Sequence, residues 1–225
     1  MIPATMNTKP IPHQTAPGES PAIIPPQALA RAFASPGGSV SLLYGSKPVF
    51  HLALRLAAFA MSNGRSIAAV DGCNRFNVHL LARHAREHRI DTHEFLRRVY
   101  ISRGFTCYQM EAAITRRLPA FLRTRSIHAA LILGLLETFY DQQAPFREAA
   151  AMLERVIASI RDLKAGGVSV LLVCSDVKVL PEERNRFIAR LKTAADAVYH
   201  VAVNEEGAPV IRIESAGHPH HTLQS

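Results

Sequence analysis

Between Gly38 and Phe76 the chain is laid out as a strand, a glycine bend and a helix, the arrangement that cradles nucleotide phosphates. Gly38-Ser39-Val40-Ser41-Leu42-Leu43-Tyr44-Gly45 reads as a turn, a short buried strand and a loop glycine, and His51 to Met61 reads as a helix. A phosphate loop runs G-x-x-x-x-G-K-[ST] at this junction. Its backbone N–H groups hold the phosphates, the Lys meets the β/γ oxygens and the hydroxyl holds Mg²⁺. Counted from Gly45, the second glycine is Phe50, the lysine is His51 and the hydroxyl residue is Leu52. Phe50 fills the space a phosphate needs, His51 is mostly neutral near pH 7, and Leu52 cannot ligate a cation. Gly45, Lys47, His51 and Asp71 therefore mark a vestigial nucleotide site, with Lys47 crowded by Pro48 and Phe50. No residue is assigned a catalytic role.

Other reactive residue types have plainer readings. Cys73 with Asp71 and His51 has the makings of a nucleophile and base, but the preferred reading of Cys73 is a small residue buried at a strand end. Glu137 reads as a surface loop carboxylate, and Phe105 and Tyr108 read as core residues. His218, His220 and His221 form a tract with no acidic or cysteine partner at metal-site spacing, so no metal is expected.

The elements that must position these residues alternate. Strands are predicted at 39–43, 67–71, 98–102, 129–133, 168–173, 197–203 and 209–214. The last two flank Asn204-Glu205-Glu206-Gly207, a turn signal that makes them an antiparallel hairpin. The clearest helix runs from Phe146 to Ala165: Pro145 suits its start, Gly166-Gly167 its end, and an apolar stripe from Ala149 to Leu163 marks its inner face. Strands joined by helical crossovers imply an α/β fold, a mostly parallel sheet covered by helices on both faces.

Several of these segments carry further motifs. Ser66 to Phe76 is similar to a strand pattern I-D-T-E-G-x-F, with Asp71 and Phe76 in register, Cys73 at the glutamate and Asn74 at the glycine. Val99 to Gln109 is similar to v-y-v-a-R-a-f-t-x-x-Q; Ala129 to Gly134 looks like a Walker B strand with Gly134 at the aspartate; Val168 to Asp176 looks like a strand ending T-N-Q with Asp176 at the glutamine. By the order and spacing of these degenerate motifs, residues 28–215 resemble the RecA/RadA recombinase family. The resemblance implies a RecA-like P-loop NTPase fold. Phosphoryl transfer depends on positioning and on stabilisation by Lys and Mg²⁺, and four components are altered at once: Phe50-His51-Leu52, Cys73, Gly134 and Asp176. The expectation is a non-catalytic recombinase paralogue, needing neither ATP nor Mg²⁺, that serves DNA repair or recombination by contact with DNA, a recombinase or another repair protein. Two alternatives stand beside it: an unorthodox DNA-dependent ATPase using Lys47, Asp71 and Glu137, and a purely structural adaptor.

Charge points toward a polyanion. Residues 75–125 hold eleven arginines and no lysine against four carboxylates, nearly the whole formal charge of +8. Arg103, Arg116, Arg117, Arg123 and Arg125 are the nucleic-acid candidates there. Lys178, Arg184, Arg186 and Arg190 join them from the segment 177–190, one of two that correspond to the family's DNA-binding loops; it reads as a helix opened by Pro181. The other is Leu135 to Pro145. Ahead of the core, Phe33 within Ala28 to Ala34 has two readings: an oligomer anchor, as the family's segment before the core would supply, or, the plainer one, a local helix docking on its own core.

The organisation is a proline-rich disordered leader (1–27), one core domain (28–215) and a flexible tail (216–225). The leader lacks the charged start and apolar core of a secretory signal, and no apolar run reaches the ~20 residues of a membrane span. Three cysteines without a disulfide framework suggest a reducing cytoplasm.

Overall fold

A computed structural model of the protein describes residues 23–216. Seven strands form one sheet in the order β3-β2-β4-β5-β1-β6-β7. They are β1 (Val40–Gly45), β2 (Ile67–Asp71), β3 (Val99–Arg103), β4 (Ala129–Leu133), β5 (Ser169–Ser175), β6 (Ala197–Val203) and β7 (Pro209–Ala216). All pairs are parallel except β6–β7, which is the antiparallel hairpin. The central strands β1, β2 and β4 are buried along their whole length, Ser41 and Asp71 included, as their mainly apolar runs require.

Two cores follow, one on each face. On the first, α1 (Pro26–Ala34), α2 (Pro48–Ser62), α3 (Val78–Glu87) and α4 (Thr92–Leu96) bury Phe33, Leu54, Leu81 and Phe95. On the second, α5 (Cys107–Ala112), α6 (Leu118–Arg125), α8 (Phe146–Ala165) and α9 (Arg186–Ala194) bury Met110, Leu118, Ile157 and Phe187. The short α7 (Leu135–Phe139) follows β4 directly and packs with this second core. Truncating any of these large side chains to Ala costs about 2–5 kcal/mol.

Local chemistry sets the helix ends. The side chains of Asn77, Asp91 and Thr106 cap α3, α4 and α5 by accepting from free backbone N–H groups. A π-helical turn, Ala113–Arg117, joins α5 to α6. Pro119 lies just beyond it and has no N–H to return to Thr115, which accounts for the local widening of the helix.

The connections from β1 and β2 leave over the first face and those from β3, β4 and β5 over the second. β2 and β4 are neighbours whose exits diverge, the topological point at which open α/β sheets place their sites, although here the residues just past both strands, Gly72, Cys73 and Gly134, pack closely on one another. At the far edge Ile24 N–H donates to Ile211 O at 3.0 Å and Ile23 bridges Arg212. The segment from Ile23 to Gln27, expected as part of the leader, therefore rests on β7 and begins α1. Among the described residues no helix is long and apolar enough to cross a membrane.

Candidate functional site

The motif positions Gly45, Asp71, Gly134 and Asp176 lie at or just past the carboxyl ends of β1, β2, β4 and β5. These four strands are contiguous in the sheet, so positions scattered along the chain converge on one end. Asp176 N–H donates to Gly45 O at 2.8 Å and Gly134 N–H to Val173 O at 2.9 Å, tying the strand ends together.

The link after β1 is too short to surround a phosphate. Only Ser46 and Lys47 separate β1 from α2, because the helix begins at Pro48 and not at the expected His51. Proline is preorganised for the first helical turn, and Val49 N–H donates back to Ser46 O at 2.9 Å. Ser46 N–H is turned to Val201 O at 3.1 Å, so it does not face a ligand. Gly45, at φ 149°, packs so tightly on β6 that a Cβ there would strike the Val201 carbonyl. Phe50 and Leu52 are buried in the first core. Lys47 is exposed and has no carboxylate within salt-bridge distance among the described residues. His51 sits with Arg55 and Arg83 in a groove among α1, α2 and α3, apart from Asp71 and Cys73.

Asp71 is fully buried and spent on structure. Its Oδ1 accepts from Cys73 N–H at 3.2 Å and Arg75 N–H at 3.1 Å; its Oδ2 accepts from Phe76 N–H at 3.0 Å. Arg103 Nε lies 3.8 Å from the same carboxylate. A buried carboxylate needs such donors, and here they fold the turn after β2 around it.

Cys73 fills the next space. A Cβ on Gly134, which has φ 67°, would overlap the Cys73 Cβ and Sγ. Burial, then Glu137 and then Asp71 push the Cys73 thiol above its usual range, so it is a neutral packing group and no thiolate. Burial does the same to Cys174 and Tyr140 nearby. Glu137, expected on a surface loop, instead points inward from α7. Its Oε1 accepts from Ser175 N–H at 2.8 Å and Ser175 Oγ–H at 2.6 Å, while Oε2 is enclosed without a protein partner among the described residues. Among the described residues no group of three or more His, Cys, Asp or Glu could hold a metal ion.

The basic residues do not form one surface. Arg123 and Arg125 lie toward the amino ends of the strands, where α6 leads into β4, whereas Arg103, Lys178 and Arg186 lie toward the carboxyl ends. Arg116 and Arg117 are exposed on the π turn between these ends. Arg125 stacks 5.7 Å above the Tyr100 ring, and Arg190 pairs with Glu154 at 2.6 Å. Arg184 is corrected outright. It is 2% exposed and its guanidinium donates to the Phe139 and Ala144 carbonyls, so it cannot meet a phosphate.

Of the two readings of Phe33 the plainer one holds, and one further expectation changes. Phe33 is 1% exposed in the first core, where α1 packs on α2; it anchors its own chain and is not free to anchor another. Phe105 and Tyr108, expected in the core, are 62% and 45% exposed, because the turn capped by Phe105 N–H to Gln109 Oε1 swings them outward. The histidine tract at 218–221 lies outside the described residues. Sequence reasoning missed the His84–His88 pair and the Glu137–Ser175 pair. The first was signalled by the i, i+4 spacing on α3; nothing in the sequence signalled the second. Neither a family model nor a curated protein matches the sequence.

Proposed function

We propose that the protein is a non-catalytic RecA-like recombinase paralogue that acts by contact, through a DNA or repair-protein partner, in DNA repair or recombination. One observation carries the reading: the four degenerate motif positions converge on the carboxyl ends of contiguous strands, yet the two-residue link Ser46-Lys47 leaves no loop to surround a phosphate. The ATPase alternative loses its acids, since Asp71 closes the turn to Phe76 and Glu137 holds Ser175. Catalysis of phosphoryl transfer would need a cation and a metal at the developing charge, and neither Lys47 nor these carboxylates supplies that geometry. The separation of Arg123 and Arg125 from Lys178 and Arg186 favours a protein partner over a single DNA track as the principal contact.

Calorimetric titration of the purified protein with ATP and ADP in Mg²⁺ tests the reading, alongside phosphate release with and without DNA. The expected result is no saturable nucleotide binding and no turnover. Micromolar ATP affinity with Mg²⁺-dependent turnover by the unsubstituted protein would replace it with the ATPase reading. A salt titration of DNA affinity separates DNA contact from adaptor function, because phosphate-dominated binding falls steeply with salt.

A further inference from the structure

Two grooves, of about 520 and 190 Å³, lie at the amino ends of the strands and meet at Ser126, Ile127 and His128, just ahead of β4. The degenerate motif positions occupy the opposite end of the sheet. Arg116 and Arg123 line the larger groove, Arg65 and Arg125 the smaller, and Asp162 is the one carboxylate on either. None of the four arginines has a carboxylate within salt-bridge distance among the described residues. Arg116, Arg123 and Arg125 are exposed and Arg65 is half-buried. Arg125 rests over the Tyr100 and Phe121 rings, 5.7 and 6.0 Å from their centroids, which braces its guanidinium. Capping of helix ends does not account for these side chains. The last carbonyls of α6 already accept from Ser126 and Ile127 N–H at 3.3 and 3.0 Å, and those of α8 from Gly166 and Val168 N–H, both at 3.0 Å.

We infer that the joined grooves bind the phosphodiester backbone of a nucleic acid at the amino ends of the sheet. Such a surface rests on the reading of the protein as one that acts by contact, and it confines nucleic-acid contact to one end of the sheet. The lining decides between polyanions. Leu122, Ile127, Leu163 and Val168 are at most 7% exposed and already packed in the second core. None of the large apolar side chains exposed among the described residues lies on either groove. An acidic protein segment would therefore find no seat for an apolar anchor, only exposed ion pairs that are individually weak. A nucleic acid needs no such seat. Its charges repeat along the strand, each neutralised phosphate releases counterions, and each arginine fork meets two phosphate oxygens at once. The Ser66 and Ser126 hydroxyls and His128 add polar contacts between the arginines.

Fluorescence anisotropy of the full-length protein with a labelled oligonucleotide, single-stranded in one arm and duplex in the other, tests the surface. At least one arm should show salt-dependent binding, and the tighter arm identifies the form held. The double variant Arg116→Glu, Arg123→Glu should bind about tenfold or more weakly. Arg65→Ala, Arg116→Ala and Arg123→Ala should each lower the slope of log affinity against log salt by about 1. Lys178→Glu with Arg186→Glu, at the carboxyl ends, should leave affinity unchanged. No salt-dependent binding in either arm, or undiminished binding by the amino-end variants, would overturn the proposal. So would displacement of the oligonucleotide by polyglutamate as effective as by unlabelled oligonucleotide, which would assign the grooves to an acidic protein. Loss confined to the carboxyl-end variants would overturn this surface while keeping the contact reading, which nucleotide turnover alone removes.

Discussion

Cys73 occupies the volume that any side chain at position 134 would need, so the two positions form a single packing unit. A carboxylate side chain cannot be placed at Gly134 while Cys73 keeps its place. Gly134 also holds φ 67°, where a Cβ costs about 1–2 kcal/mol by itself. Overpacking against Cys73 adds about 1–3 kcal/mol. Gly134→Ala is therefore expected to destabilise by about 2–5 kcal/mol in urea unfolding. In a Cys73→Gly background the overpacking share should vanish, giving a coupling of about 1–3 kcal/mol in the double-mutant cycle. Additive effects would mean that the two residues do not compete for space.

Arg184 and Arg186 are two residues apart and should behave oppositely. Arg184 is buried and ties the carbonyls of Phe139 and Ala144, which end α7 and precede α8, while Arg186 is exposed at the start of α9. Arg184→Ala strands two buried acceptors and is expected to cost about 2–6 kcal/mol, about 1–3 for each. Arg186→Ala should stay within about 0.5 kcal/mol. Thermal and urea unfolding of the pair decides it; equal effects would contradict the buried tie.

The sheet was legible and the site was not, for different physical reasons. All seven strands appear where they were expected, most plainly Val40–Gly45 and Ala129–Leu133, because burial on both faces demands apolar residues at nearly every position. Asn204 to Gly207 gave the hairpin by turn chemistry alone. The start of α2 was also written, in Pro48, but the motif spacing counted from Gly45 drew attention past it. Arg184, Phe33, Phe105 and Tyr108 depend on which way one turn swings, information carried by long-range packing and by no local pattern. Asp71 was recognised as important, yet its partners at Cys73, Arg75 and Phe76 exist only once the turn has closed on it.

Acid should loosen the α2–α3 face. Burial, then His88, then Arg55 hold the His84 imidazole below its ordinary value, against an opposing pull from Glu87. Burial, then Arg55 and Arg83 do the same to His51. The unfolded chain therefore takes up these protons first as pH falls, and stability is lost from the ordinary histidine range near 6.5 downward to the folded values. Urea midpoints measured on either side of that range should fall on acidification. The double variant His51→Gln, His84→Gln should show a shallower fall; an unchanged slope would assign the acid sensitivity to other groups.

The terminal hairpin is held by a cation clamp, which gives the last expectation. Lys192 Nζ on α9 lies 2.7 Å from Tyr44 Oη and 2.8 Å from Glu214 Oε2, and 4.1 Å from the Tyr44 ring centroid; Tyr44 Oη–H also donates to Glu214. One side chain thus joins the middle of the sheet, β1, to its outer strand, β7, across β6. Half-exposure discounts each contact, so Lys192→Met is expected to cost about 1–2 kcal/mol. The loss should be local: amide exchange should quicken in β7 and at Ile24, which bonds to it, while β2 and β4 keep their protection. Uniform acceleration across the sheet would show that the hairpin unfolds only with the whole domain, leaving the clamp no separate role.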